Sequence, residues 1–438
     1  MVSNVAVVGP QDLVNEMIAL GSDFPELELI PVPYQKETQA VDLVKSHMQQ
    51  VEVVSFTGPV PYLLTKGKVP GHLRMVYVRY TGAALYRTLF QVLEQRQGEK
   101  DWLKGLSIDI LPREAVAETY AELGLDSSGV HIIAQDSFPD TTSLAEQHRR
   151  FYESGQSTAA VSCLTSAYEK LREWGIPAYR IRPTHFDMRE TLRLAKIESL
   201  ALHHQKAQVA VGVLRMNSGS RGASGNAQRL TLELHQLLLD YGAETGASVT
   251  YLGGNEFIIF TTRGALQRAT SGFQEAPLLG EIRERVGAVI SLGLGVGHSA
   301  MEAEGNARAA LARSLEEGGS HCYVLLEGGA MIGPLDAARP LRYDIRSLDP
   351  HVMSLAQLSG LSVATVSRLQ AVTESYGRTT LTANEVAAGL GVTLRSARRI
   401  LSTMVAAHLA VVVGEEQPVG RGRPRQVYNL RIAREGGI

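Results

Sequence analysis

The amino-acid sequence predicts a multidomain chain of mixed α/β and α+β character that ends in a basic helical module. Three observations carry this expectation. At 438 residues the chain exceeds what one hydrophobic core usually organises, so two or three domains are expected, with three the working count. Short apolar runs alternate with helical stretches through most of its length, the pattern of a layered, mostly parallel sheet. Charge is unevenly placed: residues 378–434 hold nine arginines against three acids, a net of +6, while the rest holds 34 basic and 42 acidic residues, a net of −8. Such a local excess is the electrostatic footprint of a module that approaches phosphates.

Hydrophobic residues make up 44% and charged residues 20% of the chain, which excludes disordered and fibrous classes. No run of about 18 apolar residues occurs, and residues 1–9 lack the basic flank and long apolar stretch of a signal peptide. A cytoplasmic protein without a membrane partner is therefore expected. Two cysteines, Cys163 and Cys322, stand far apart and without zinc-site or disulfide spacing, so both are expected as small buried hydrophobes. No catalytic residue, cofactor or metal is implied.

The first expected domain, residues 1–195, opens with an apolar strand at 5–8, a Gly9-Pro10 turn and a helix from Gln11. Further strands follow at 27–32, 51–56, 75–78, 106–110, 131–134 and 159–161, the last before a helix at 164–174, and a second lobe fits this count. Polar turns at the carboxyl ends of parallel strands are where open α/β sheets bind ligands. Gly9, Ser55, Thr57, Gly58, Arg79 and Thr81 are thus candidate rim residues of a small-molecule site, the plainer alternative being ordinary turns between strand and helix. The segment 160–194, with Ser162, Thr165, Ile176-Pro177, Arg182-Pro183-Thr184 and a helix from Met188, resembles the closing part of the N-terminal receptor domain of propionate-catabolism activators. That resemblance covers about the first 195 residues, rests on arrangement, and implies a sensor of a small-molecule effector.

The second expected domain, residues 205–335, follows a long helix at 187–205. Its order is a strand at 208–214, a helix at 227–241, a hairpin of 248–252 and 255–261 around Gly253-Gly254, a strand at 288–296, a helix at 302–317 and a last strand at 322–326. With Gly253-Gly254-Asn255-Glu256-Phe257 on the turn, this order resembles the GGDEF family, the palm-like domain of diguanylate cyclases, over about 205–327. Cyclisation in that family needs carboxylates that hold two divalent metals, one from the end of the first strand and others from the signature turn. Here residues 213–217 read Val-Leu-Arg-Met-Asn and the signature aspartate position is Asn255, leaving Glu256 alone. The resemblance therefore implies a degenerate domain without cyclase activity. Gly253, Gly254, Asn255 and Glu256 remain candidate nucleotide contacts, with Gly222 and Gly225 before a helix N-terminus; the alternative is a hairpin that kept its glycines in a domain that dimerises or relays.

The third expected domain, residues 349–434, starts with a helical stretch at 349–376 whose apolar positions are Val352, Leu355, Leu358, Leu361, Val366 and Leu369. Interrupted near Gly360, it is expected to link or to pair. A short helix then begins at 381–385, with Thr382 as N-cap and Glu385 three residues on. Gly391 allows a tight turn, and Thr393 caps a helix at 394–408. Two helices joined this way form a helix-turn-helix, whose second helix enters the major groove. Arg395, Ser396, Arg398 and Arg399 form its polar face, while Ala397, Ile400, Leu401, Met404 and Val405 turn inward. Arginine can contact guanine with two bonds, and the Thr393 and Ser396 hydroxyls can hold phosphate or a base edge.

Strands at 409–413 and 426–430 flank a loop in which Arg421, Arg423 and Arg425 sit on a turn stiffened by Pro424, suited to a narrow minor groove. Gly422-Arg423-Pro424 with Tyr428-Asn429-Leu430 closely resembles winged-helix regulators; the bland alternative is a generic helix pair and a solvated loop. Together these readings imply a ligand-responsive transcription regulator that reads double-stranded DNA, as a homodimer on a palindromic operator. The rival is a GGDEF-type nucleotide cyclase or nucleotide-binding enzyme with a DNA-binding tail. A third possibility is an adaptor whose upstream domains bind only proteins.

Overall fold

A computed structural model of the chain describes residues 2–70, 73–97, 100–133, 141–217, 224–335, 340–345, 349–416 and 425–432. They divide into two compact units, Met1–His203 and His204–Ile438. The fold is multidomain α/β, with parallel sheets and many helices.

The first unit runs β1 (Ser3–Pro10), α1 (Gln11–Ala19), β2 (Leu27–Tyr34), α2 (Ala40–His47), β3 (Val53–Phe56), α3 (Pro59–Thr65), β4 (Arg74–Tyr77) and α4 (Gly82–Gln95). It continues with β5 (Leu106–Asp109), α5 (Arg113–Glu122), β6 (His131–Ile133), α6 (Thr141–Glu153), β7 (Ala159–Ser162), α7 (Thr165–Glu173), β8 (Ala178–Arg180) and α8 (His185–Ala207). Two four-stranded sheets result, ordered β2-β1-β3-β4 and β6-β5-β7-β8, and every pairing is parallel. The continuous apolar character of β1 follows from burial on both faces: Val5 and Val7 enter one core with α1 and α8, Ala6 and Val8 a second with α2.

The second unit runs β9 (Val209–Met216), α9 (Ser224–Thr245), β10 (Ser248–Gly253), β11 (Glu256–Thr262), α10 (Arg263–Ala269), α11 (Pro277–Arg285), β12 (Ile290–Gly297) and α12 (Ala300–Glu316). After β13 (Cys322–Leu325) the sheet continues through β14 (Ala330–Gly333) and β15 (Leu341–Asp344), so the strand at 322–326 is not the last. The seven strands are ordered β10-β11-β9-β12-β13-β14-β15, antiparallel except for β12 with β13. Helix α12 lies against β12 at unusually short range because both contribute small residues. A Cβ on Gly293 would meet the Ala307 carbonyl at 2.1 Å, and one on Gly295 the Ala303 carbonyl at 2.1 Å. The glycines of β12 and the alanine-rich helix thus answer each other in packing.

The chain ends with α13 (Pro350–Ser359), α14 (Val363–Tyr376), β16 (Thr380–Thr382), α15 (Ala383–Leu390), α16 (Leu394–Ala406), β17 (Ala410–Glu416) and β18 (Arg425–Leu430). The stretch 349–376, expected to link or pair, is core instead: Val352, Leu355, Val366 and Leu369 join Tyr323, Leu325, Met331 and Tyr343 of the large sheet and Val386, Leu401, Met404 and Leu430 in one cluster. Leu358 is exposed. One apolar core therefore runs from the seven-stranded sheet into the C-terminal helices. Both cysteines are buried. Among the described residues no helix is long and apolar enough to cross a membrane.

Candidate nucleic-acid interface and inter-sheet cleft

Helix α15 is built by its ends. The Thr382 hydroxyl accepts from the Glu385 amide at 3.3 Å and the Thr382 amide donates to Glu385 Oε2 at 2.7 Å, a reciprocal cap that satisfies two otherwise orphaned donors. Burial opposes ionisation of Glu385, but the Thr382 bonds and the Arg378 guanidinium outweigh it and hold its carboxyl below the usual range. At the other end Gly391, with φ of 63°, takes the left-handed conformation that closes a helix and that a side chain would strain. The Thr393 hydroxyl then accepts from the Ser396 amide at 3.2 Å, starting α16.

On α16, Ala397, Leu401 and Met404 are buried, Ile400 and Val405 half-buried, and Arg395, Arg398 and Arg399 exposed. The helical repeat gathers these three guanidinium groups within an arc of about 100°. Among the described residues they and Arg425 make no ion pair, whereas Arg313, Arg368 and Arg378 of the same unit are all paired. Folding leaves the charge of this face unneutralised. The Thr393 and Ser396 hydroxyls also bond each other at 3.0 Å, within the cap that the sequence predicts at Thr393.

Behind this face stands a three-stranded sheet ordered β16-β18-β17. Leu381 pairs with Tyr428 in β18, so it belongs to a strand and the helix begins two residues later. Tyr428 also pairs with Val412 in β17, beside a bulge between Val412 and Gly414. Arg425 opens β18, exposed and in register with Glu416. Arg421 and Arg423 lie outside the described residues.

The turn between α15 and α16 is fastened to the large sheet by Arg368 of α14. Its guanidinium donates to the Leu390 carbonyl, lies 3.1 Å from Glu317 Oε1 and sits 5.3 Å over the Tyr343 ring. Glu317 also receives Arg313 and the Tyr323 hydroxyl. Burial, with Glu317 alongside, pushes the Tyr323 phenol well up, so it keeps its proton and donates.

At the β10–β11 hairpin Gly253, Gly254 and Asn255 have φ of 88°, 59° and 70°. Asparagine tolerates this conformation better than most residues, so Asn255 suits the turn itself. Glu256, with a side chain 17% exposed, lies 3.8 Å from Arg215 and 3.5 Å from Arg308. Arg215 is its register partner on β9. The one carboxylate of this turn is thus held by two guanidinium groups, and a divalent cation would meet like charges on both sides. Among the described residues no group of three or more histidine, cysteine or acidic side chains is arranged to hold a metal. Gly222 lies outside the described residues.

In the first unit, Thr57 and Gly58 of the expected rim line a cleft between the two sheets with Tyr34, Glu37, Tyr80, Cys163 and Thr165. Its free volume of about 10 Å³ is at the lower edge of the roughly 10–15 Å³ that a single water requires, so the cleft has no room for a larger molecule as it stands. The remaining expected residues are not in its lining. Gly9 backs onto Thr57, where any Cβ would lie 2.0 Å from the hydroxyl. Ser55 is wholly buried, Arg79 is exposed, and the Thr81 hydroxyl donates to Asp187 at 3.0 Å.

Glu37, buried, accepts from the Ser166 hydroxyl at 2.8 Å. Burial works against the charge of Asp12, but Arg180, at 2.7 Å, and Arg182 hold its carboxyl below the ordinary range. Beneath the cleft, the Asp109 carboxylate accepts from the Ser162 hydroxyl at 2.5 Å and the Cys163 amide at 2.7 Å, and faces His148 Nε2 at 3.2 Å. His148 Nδ1 meets the Ser107 hydroxyl at 2.8 Å. These are the residue types of a nucleophilic triad, yet all are fully buried; they brace the ends of β5 and β7. Burial and the neighbouring Asp109 push the Cys163 thiol well up, so it stays a thiol and a poor nucleophile.

No family model matches the chain, and no curated protein matches it. Solved structures align with parts of it, among them the following three. An NtrC-family transcriptional regulator from Clostridium acetobutylicum does so with a TM-score of 0.37 at 14% identity, over 46% of this chain and 99% of that one. A leucine-binding protein from Thermotoga maritima has a TM-score of 0.22 at 12% identity, over 68% of this chain and 95% of that one. An adenylyl cyclase from P. aeruginosa has 0.16 at 13% identity, over 52% and 95%.

The sequence-derived residues that come together are therefore Arg395, Arg398 and Arg399 on one helix face, and Thr57 with Gly58 in one cleft. Arg215, Arg308, Arg368 and Glu317 escaped sequence reasoning because their partners are remote in the chain. Tyr34, which ends β2, and Glu37 and Cys163, which follow β2 and β7, did so because those strand ends carry no glycine turn of the kind found at Thr57-Gly58.

Proposed function

We propose that this protein is a ligand-responsive transcription regulator that binds double-stranded DNA as a homodimer. In this reading residues 349–434 are a winged helix-turn-helix module, α16 is its recognition helix, and the β17–β18 hairpin is its wing. One observation carries it: three guanidinium groups share an exposed arc of a well-capped second helix and have no ion-pair partner among the described residues. A bidentate arginine contact to guanine discriminates by about 1–3 kcal/mol per base pair. Arg421, Arg423 and Arg425 act from the wing on phosphates or the minor groove. The two-sheet unit receives a small polar effector, and because its cleft has room for no more than about one water, binding requires the sheets to part. An effector shifts that equilibrium only by its difference in affinity for the two states.

The test is selection from a random pool of duplexes at fixed salt. Enrichment of a two-fold symmetric sequence supports the reading, and recovery of the starting pool even at low salt overturns it. The rival nucleotide cyclase would need metal at a carboxylate that Arg215 and Arg308 already neutralise. Incubation with GTP or ATP and Mg²⁺ is expected to give no cyclic product above background.

A further inference from the structure

Helix α8 has two faces of different kinds. Met188, Leu192 and Ala195 are buried in the core of the first sheet, whereas Phe186, Leu194, Ile197 and Leu200 are 67%, 47%, 59% and 48% exposed. At about 100° per residue, Phe186, Glu190, Ile197 and His204 fall within roughly 20° of one line, Leu194 and Leu200 lie about 60° to either side, and Met188 and Ala195 lie opposite. Single exposed apolar side chains are ordinary, but a contiguous row along one helix marks an interaction surface.

The sequence around Ile197 is complementary to its own reverse. Leu194 and Leu200 lie equally far on either side of it, as do Glu190, which also pairs with Arg193 of its own chain, and His204. Two copies of α8 crossing antiparallel about a two-fold axis at Ile197 would set Leu194 level with Leu200 of the second copy and Glu190 against His204. A parallel arrangement would instead set Glu190 against Glu190, a like-charge juxtaposition. Lys196 and Glu198 have partners in their own chain, Glu26 and Arg74, and keep 35% and 40% of their side-chain surface exposed, so they stand at the rim of the row.

We infer that α8 is the seam of an isologous homodimer, a second copy of this chain lying antiparallel across Ile197. An isologous contact of this kind uses the same patch on both copies and closes on itself. The inference names the surface for the dimer in the reading above and rests on that expectation of a dimer alone, not on DNA binding.

Sedimentation velocity of the full chain is expected to show a dimer, and Ile197→Glu should weaken it by about tenfold or more in Kd. The position is exposed, so the melting curve should stay within the small change usual for surface sites. Oxidised Ile197→Cys should give a covalent dimer, because a residue on the axis meets itself within the roughly 4.4–6.8 Å between Cα atoms that a disulfide allows. Leu194→Cys alone should not, while Leu194→Cys with Leu200→Cys should; the native Cys163 and Cys322 are buried and silent. A wild-type monomer at every concentration, an Ile197→Glu dimer of wild-type affinity, or crosslinking of Leu194→Cys as fast as Ile197→Cys would overturn the inference. A dimer with these crosslinks that binds no DNA removes the regulator reading and keeps the seam.

Discussion

Replacing Arg368 by methionine should loosen the α15–α16 pair without touching its outer face. The Arg368 side chain is 14% exposed, donates to the Leu390 carbonyl at the end of α15, and faces Glu317, itself 10% exposed. Removing one partner of a buried charged pair costs about 3–5 kcal/mol. Glu317 retains Arg313 and the Tyr323 hydroxyl, which lowers its share, and losing a charged donor to Leu390 accounts for about 1.5–3 kcal/mol. A total of about 2–4 kcal/mol is expected. At about 2–4 °C per kcal/mol for a unit of this size, calorimetry should record a fall of roughly 4–16 °C. DNA affinity, measured well below the melting range, should fall as well, because the turn that aims α16 has lost its tie to the large sheet. Arg368→Lys should restore only part, since an ammonium lacks the planar fork that reaches both acceptors. A stability change under about 0.5 kcal/mol with normal DNA affinity would refute this reasoning.

Four further outcomes follow. Substituting Arg421, Arg423 and Arg425 together should flatten the slope of log K against log salt by up to about three units, one per lost contact; an unaltered slope would leave the wing in solvent. Thr382→Ala should cost about 1 kcal/mol, read as a shift in the urea midpoint. Because Glu385 is held below its usual range in the folded chain, its stabilisation is full above the unfolded value and lost as pH falls through the folded one; that acid-side loss should shrink in Thr382→Ala, and an unchanged acid limb would show that the cap does not set it. Asn255→Asp should still form no cyclic nucleotide, since the first strand offers Arg215 where a second carboxylate is needed, and product formation would restore the cyclase reading.

Much of the frame is legible in the sequence because its signals are local. Short stretches rich in apolar residues between turn signals marked β1, β2, β3, β5, β7 and β12. The Thr382–Glu385 cap, Gly391 and Thr393 lie within a dozen residues of one another and each fixes its own backbone. Strands β8, β14 and β16 escape the sequence reading, and each is completed by a neighbour, β7, β13 and β18 in turn. The stretch 349–376 shows a helical repeat in sequence, but only packing reveals that its apolar face enters a core shared with Tyr323 and Tyr343. The site residues divide the same way. Arg395, Arg398 and Arg399 were readable from their spacing around Ala397 and Leu401. Glu256 was visible, but not that Arg215 and Arg308 neutralise it; nor does any local pattern bring His148 to Asp109 or Arg368 to Glu317.

The role of α16 is open to a single direct measurement: a gel-shift titration of the selected operator with wild-type protein and with Arg398→Ala/Arg399→Ala, against random duplex competitor at constant salt. If each arginine contributes a bidentate base contact of about 1–3 kcal/mol, the double variant should lose specific affinity by roughly 30-fold or more. It should keep its melting temperature, because both positions are exposed and surface substitutions usually stay within about 0.5 kcal/mol. Unchanged operator affinity in a folded double variant would contradict the assignment of α16 as the helix that reads DNA.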